Sequence, residues 1–253
     1  MKLYIEGNIG RYYVQTLCLI FFPGAGFSER EEETAEGDAV RLTLHEDAQS
    51  YTAEAVMRHG GEQRSGTARE LRDGIDSDER IKKRAVGRAI FEAGAELFGI
   101  RPEWGILTGV RPAKLAEQLA ESARAQGLDG AREAERILTC DYLAAPEKAH
   151  LLTEVARNNS ALRRQVGSDG CSVYISIPFC PTRCAYCSFV SYSTPRLLSL
   201  IPDYLERLCS DIRALGRLLP RIGRRVDTVY IGGGTPTTLS AEQLDRLLGC
   251  LGE

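Results

Sequence analysis

The polarity pattern of the chain changes period twice. Positions 2–6, 15–22, 40–45 and 51–57 are short runs in which apolar residues dominate or alternate with polar ones. They read as the strands of an antiparallel meander. From position 78 the period lengthens: Ile81, Ala85, Ala89, Ile90, Ala93 and Leu97 share one helical stripe, with Gly99 as the stop. The same reasoning predicts helices over 112–125, 131–138 and 146–164. A short polar stretch at 166–170, Val166-Gly167-Ser168-Asp169-Gly170, marks a boundary.

Beyond it strand and helix alternate. Residues 172–177 read as a buried strand and 204–219 as a helix with Leu205, Leu208, Ile212, Leu215 and Leu219 inside. Residues 226–231 read as a second strand. Ser240 opens another helix with a capping box to Gln243, and Leu239 and Leu244 are spaced as its hydrophobic staple. This order implies parallel strands joined by crossover helices. The expected class is α/β: an N-terminal α+β domain over 1–165, then the first βα units of a partial (β/α) barrel over 171–253. With only two such units before Glu253, the barrel is expected to be incomplete and the chain inactive alone.

Composition narrows the class without changing it. Of 253 residues, 43% are apolar and 26% charged, as in globular proteins. No apolar run approaches the roughly 20 residues that cross a bilayer, and no signal peptide is evident, so the expected location is the cytoplasm, with no membrane partner. A net charge of −3 gives no general attraction for nucleic acid. The acidic run at 29–33 reads as a solvated loop, Trp104 as a packing anchor, and His45, His59 and His150 as ordinary surface or strand residues without metal-ligand spacing.

The cysteines do change the picture. Of eight, Cys180, Cys184 and Cys187 share one loop in a C-x3-C-x2-C spacing directly after a strand. Three thiolates so placed can hold three irons of a [4Fe–4S] cubane and leave the fourth open. S-adenosylmethionine (SAM) can chelate that iron through its amino and carboxylate groups. Structural zinc would want four protein ligands, usually as two close pairs. No second pair exists: Cys171, Cys209 and Cys250 stand alone, and Cys209 and Cys250 fall on predicted helices as buried small hydrophobes. The next strand ends in Gly232-Gly233-Gly234-Thr235-Pro236, where the backbone can approach a ligand closely. This is not the dinucleotide pattern G-x-G-x-x-G. One βα unit after the cysteine loop, it suits the SAM amino group.

Tyr174-Ile-Ser-Ile-Pro-Phe-Cys180-x3-Cys184-x-Tyr-Cys187, followed by Tyr230-Ile-Gly-Gly-Gly-Thr-Pro236, resembles the oxygen-independent coproporphyrinogen III oxidases of the radical SAM family. The HemZ-type branch is most similar: it carries an extension before the radical SAM core and a stretch like Trp104-Gly-Ile-Leu-Thr-Gly-Val-Arg-Pro-Ala-Lys114. The resemblance implies cluster ligation by Cys180, Cys184 and Cys187, and SAM contacts at Tyr174, Tyr186, Gly233, Gly234 and Thr235. It also implies the family reaction. The reduced cluster cleaves SAM, the resulting 5′-deoxyadenosyl radical takes a hydrogen from a propionate of coproporphyrinogen III, and loss of carbon dioxide and an electron leaves a vinyl group. Two rounds give protoporphyrinogen IX, for heme synthesis. The implied partners are coproporphyrinogen III or a related tetrapyrrole and an electron donor such as flavodoxin or ferredoxin. In the best-characterised branch a histidine stands where this chain has Ser176, and a fourth cysteine where it has Phe189. A heme-chaperone branch shares both departures, so the rival readings are a heme carrier that keeps the motif and a fragment without activity.

Overall fold

A computed structural model describes residues 1–28, 37–72, 74, 76–109 and 111–253. The acidic run at 29–33 lies outside the described residues. The chain is mixed α/β and divides into two compact units, Met1–Ala161 and Leu162–Glu253. No helix among the described residues is long and apolar enough to cross a membrane.

Unit 1 begins with β1 (Lys2–Glu6), α1 (Arg11–Phe21), β2 (Ala39–Glu46), β3 (Ser50–His59), β4 (Glu62–Leu71) and α2 (Asp78–Phe98). Its sheet runs in the order β1-β2-β3-β4. Two expectations fail here. Residues 15–21 are helical, with Phe22 as the C-cap, because Val14, Leu17, Cys18 and Phe21, all buried, recur at helical and not strand spacing. With a helix as the crossover, β1 pairs parallel to β2, Leu3 opposite Val40, so the sheet is not a simple antiparallel meander. The strand β4 was not anticipated. Its inward positions are Gly66, Ala68 and Glu70, which carry no hydrophobic alternation.

Gly66 and Ala68 are small because β4 lies directly on α2. A Cβ added at Gly66 would stand 2.3 Å from the Ala89 carbonyl oxygen and 2.8 Å from the Ala93 nitrogen. On the helix side, Ala85, Ala89 and Ala93 form the flat stripe that permits this approach, all fully buried. Glu70 is tolerated inside because Arg84 Nε donates to it at 2.6 Å and Arg88 lies at 3.2 Å. The helix spans the expected residues, and Gly99 closes it as expected, in the left-handed region at φ 66°; Ser77 is the N-cap, accepting from the Arg80 backbone N–H.

Three further helices complete unit 1: α3 (Pro112–Ala125), α4 (Gly130–Cys140) and α5 (Pro146–Gln165). Ala116, Leu119, Leu138 and Leu152 join the same core as the sheet. Trp104 is not the anchor that was expected: it is 40% exposed, with Lys148 Nζ 5.3 Å from its ring centroid. The adjacent Ile106 is buried in its place, its N–H donating to the Tyr142 carbonyl at 2.9 Å. His45 and His59 sit at the exposed ends of strands, and His150 on α5 pairs with Glu135 at 2.8 Å.

Unit 2 contains β5 (Gly170–Ile177), a short helix α6 (Pro195–Leu198), α7 (Ile201–Leu218), β6 (Arg225–Gly233) and α8 (Ala241–Gly252). β5 and β6 are parallel, with Tyr174 opposite Tyr230 and Ile177 opposite Gly233. Ile175 and Ile177 turn one face of this sheet into a core with Leu205 of α7 and Leu247 of α8. A βαβ arrangement is what the alternation predicted; a closed barrel is not seen among the described residues. Cys209 and Cys250 are buried on α7 and α8, but as a pair and not singly. Burial and then a hydrogen bond to Cys250 raise the Cys209 thiol above its ordinary range.

The capping box on α8 is formed as read from the sequence. Gln243 N–H donates to Ser240 Oγ at 3.3 Å, and Ser240 N–H donates to Gln243 Oε1 at 2.9 Å. Leu239 and Leu244 both pack into the unit 2 core. Replacing Ser240 by Ala removes one of these bonds and is expected to cost about 1 kcal/mol. Faster amide exchange in the first turn of α8, with α2 unaffected, checks this in the full chain.

Candidate functional site

The two sequence motifs meet at the carboxyl ends of β5 and β6. In a parallel sheet these ends point the same way, so loops leaving both strands are neighbours. The cysteine loop is tied down at its start. Cys180 N–H donates to the Tyr192 carbonyl at 3.0 Å, and Tyr192 N–H donates to the Pro178 carbonyl at 2.7 Å, which closes the loop on itself. Between them Phe179 is buried, packed edge-on against Tyr204 at 5.3 Å and tilted on Tyr192 at 5.9 Å. The Tyr204 hydroxyl donates to the Ser176 carbonyl, holding the strand end to α7.

The triglycine loop is fastened to the same segment. Gly234 N–H donates to the Ile177 carbonyl at 2.7 Å and Thr235 N–H to the Phe179 carbonyl at 2.8 Å. Thr235 Oγ1 donates to Cys180 Sγ at 3.4 Å. A Cβ added at Gly234 would lie 2.7 Å from the Phe179 oxygen and 2.8 Å from Cys180 Sγ. Gly234 is therefore required by the packing of loop on loop. The N–H groups of Gly234 and Thr235 are already used, so these residues can offer a ligand their carbonyl oxygens but not those amides. Gly233 has φ 99° and abuts Ser176 Oγ, another position closed to a side chain.

The three loop cysteines differ. Cys180 is buried under Thr235, Cys187 is half-buried, and Cys184 is exposed. All eight cysteines are free thiols. Cys187 N–H donates to the Cys184 carbonyl at 3.1 Å in a tight turn. The Tyr186 side chain between them is 90% exposed, and a hydrogen bond with Cys184 raises its hydroxyl above the ordinary range. Among the described residues no three His, Cys, Asp or Glu side chains are gathered closely enough to hold a metal ion. The donor set fits an iron–sulfur cluster in kind, three soft thiols on one short loop backed by a glycine floor.

The remaining expected contact, Tyr174, lies on the sheet face that Ser176 shares, where a Cβ added at Gly232 would stand 2.9 Å from its hydroxyl. There it stacks on Tyr230 with centroids 5.5 Å apart and planes 20° from parallel. Both rings are more than half exposed. Ser172 and Thr228 continue the same ladder, hydroxyl to hydroxyl at 2.7 Å. Tyr230, Tyr192, Tyr204 and Thr238, whose hydroxyl donates to the Phe179 carbonyl at 3.4 Å, are site residues that the motif reading passed over. Tyr230 itself opens the triglycine motif, and on β6 it shares a strand face at period two with Thr228 and Gly232.

Comparison with known proteins agrees with the motifs. The oxygen-independent coproporphyrinogen-III oxidase-like protein HemZ of Bacillus subtilis is 37% identical over 151 residues, 59% of this chain and 29% of that protein. The heme chaperone HemW of Mycobacterium tuberculosis is 42% identical over 77 residues, 30% of this chain and 19% of its own. HemW of Escherichia coli is 39% identical over 79 residues, 30% of this chain and 20% of its own. The chain thus spans less than a third of the length of each of these relatives. The HemZ match is longer than unit 2, so the likeness reaches into unit 1. No family model matches the chain, and no solved structure does. The chain is thus similar to the oxygen-independent coproporphyrinogen-III oxidase-like protein HemZ over more than half of its own length, and to the heme chaperone HemW over a shorter stretch.

Proposed function

We propose that the chain binds a [4Fe–4S] cluster through Cys180, Cys184 and Cys187 with SAM beside it, and serves the oxidative decarboxylation of coproporphyrinogen III to protoporphyrinogen IX. The observation that carries this reading is the meeting of the two loops, Thr235 Oγ1 on Cys180 Sγ with Gly234 packed beneath. Three thiolates leave one iron of a cubane without a protein ligand, which a chelating cofactor can take. When bound, the reduced cluster supplies the electron that cleaves the SAM sulfonium.

The chain's own residues orient and tune. Thr235 donates to the Cys180 sulfur, a contact that fixes the direction of that ligand. The carbonyl oxygens of Gly233 and Gly234 are acceptors suited to the SAM amino group, Tyr186 a flexible exposed cover, and the Tyr174–Tyr230 pair an aromatic surface on the open sheet face. A flavodoxin- or ferredoxin-like donor would supply the electron.

The likeness to HemW favours a second reading, carriage of heme without dehydrogenation. Anaerobic reconstitution followed by two assays separates them. Reductant-dependent release of methionine and 5′-deoxyadenosine, rising with coproporphyrinogen III, is expected on the first reading. Saturable heme binding without cofactor cleavage would transfer the assignment to the second; a chain that retains no iron and sulfide would defeat the first, and one that also binds no heme would defeat both.

A further inference from the structure

Ile106, Leu107, Thr108, Gly109, Arg111 and Pro112 help to wall a cavity of about 340 Å³ in unit 1. That is within the usual size range of small-molecule pockets. One side of the cavity is apolar, formed by Ile106, Leu107 and Leu115 with the rings of Tyr13 and Tyr142. Burial holds both phenols well above their ordinary range, so they stay neutral. The Tyr13 hydroxyl is turned away into a bond to the Lys83 carbonyl at 2.9 Å, which leaves the ring as wall.

The other side is cationic. Arg80, Lys83, Arg84 and Arg111 line it against the single carboxylate of Glu79. Three of these charges are compensated in place. Arg84 meets Glu70 at 2.6 Å and Asp76 at 2.9 Å, Arg80 meets Asp76 at 2.8 Å, and Lys83 meets Glu79 at 3.1 Å. Arg111 has no carboxylate in ion-pair range among the described residues. It is also the N-cap of α3, which has no side-chain cap and opens with Pro112. A guanidinium with no carboxylate partner among the described residues and the positive end of a 14-residue helix thus face the same apolar-walled space.

We propose that this cavity binds a small organic oxyanion, a carboxylate or phosphate monoester on an apolar ring, with its head group on Arg111 and the α3 N-terminus and its ring against Tyr13, Tyr142 and Leu115. The site lies within unit 1 and gives that unit a ligand-binding role of its own. Phenyl phosphate, benzoate and inorganic phosphate serve as probes, titrated into the cluster-free full chain while the Ile106 and Leu115 methyl resonances are followed. At least one aryl oxyanion should saturate, and the tighter of the two identifies the head group. Inorganic phosphate, lacking the ring, should bind at least tenfold more weakly by roughly the value of burying one ring face. Arg111→Ala should weaken the aryl probe roughly tenfold through loss of a charge-assisted contact; Arg111 is exposed, so the fold should persist, and Arg111→Gln repeats the test with the side-chain bulk retained. Arg221→Ala in unit 2 should change nothing. Failure of both aryl probes to saturate, equal affinity for inorganic phosphate, or unchanged affinity in folded Arg111→Ala and Arg111→Gln would each overturn the proposal.

Discussion

Replacing Cys184 by Ala is expected to abolish cluster assembly while leaving the apo protein folded as before. After anaerobic reconstitution with iron and sulfide, its iron content should fall to background and the broad sulfur-to-iron absorption should vanish. Cys184 is exposed and makes no packing contribution, so lost iron cannot be attributed to a collapsed loop. Cys187→Ala should behave alike. Cys180→Ala should lose the cluster too, but with a measurable loss of stability, because Cys180 is buried and accepts from Thr235. The comparison residues are Cys140, exposed on α4, and Cys171, half-buried on β5. Their alanine variants should reconstitute like the parent. Iron retained in full by Cys184→Ala, or lost equally in Cys171→Ala, would remove the three-thiol assignment.

The sequence was legible wherever one strong local signal acted alone. The bounds of α2 and α3 could be read directly, since a sustained helical stripe with a glycine stop marks the first and a helical pattern opening at Pro112 the second; the Ser77 cap went unread. It misled where the apolar run at 16–22 was long enough to read as a strand; the helical spacing of Val14, Leu17, Cys18 and Phe21 was present but starts two residues earlier. The strand β4 escaped because its inward face meets α2 at backbone distance. Such a face selects Gly66 and Ala68 for size and not for hydrophobicity, so no alternation is written into it. Much the same holds at the site. The residue types and spacing announced the cysteine and triglycine loops, whereas the pairing of Cys209 with Cys250 and of Tyr174 with Tyr230 depends on register between elements distant in sequence.

Gly234→Val is the substitution expected to couple fold and site most strongly. The triglycine first suggests that a side chain here would only intrude on bound SAM, leaving the protein intact. The structure directs the Cβ inward instead, to 2.7 Å from the Phe179 carbonyl oxygen, 2.8 Å from Cys180 Sγ and 3.0 Å from the Ile177 carbonyl oxygen. Two of these atoms are backbone, which cannot rotate aside as a side-chain tip would. Relief requires β6 to part from the cysteine loop, at the cost of the Gly234 and Thr235 N–H bonds and the Thr235–Cys180 contact. Overpacking of this kind costs typically 1–3 kcal/mol, and about 3 kcal/mol or more is expected here because lost hydrogen bonds add to it. Gly216→Ala supplies the contrast. That glycine lies inside α7 with nothing within 4 Å of an added Cβ, so the substitution should stabilise α7 by about 0.5–1 kcal/mol. Denaturation and amide exchange of the full chain should therefore show unit 2 opening earlier in Gly234→Val and later in Gly216→Ala, with unit 1 unmoved. Iron uptake should fall in the first variant and persist in the second, since the floor under Cys180 is displaced only there. A Gly234→Val protein with undiminished stability of β5 and β6 would mean that the two loops are not packed on one another, and the site would have to be rebuilt from the cysteine loop alone.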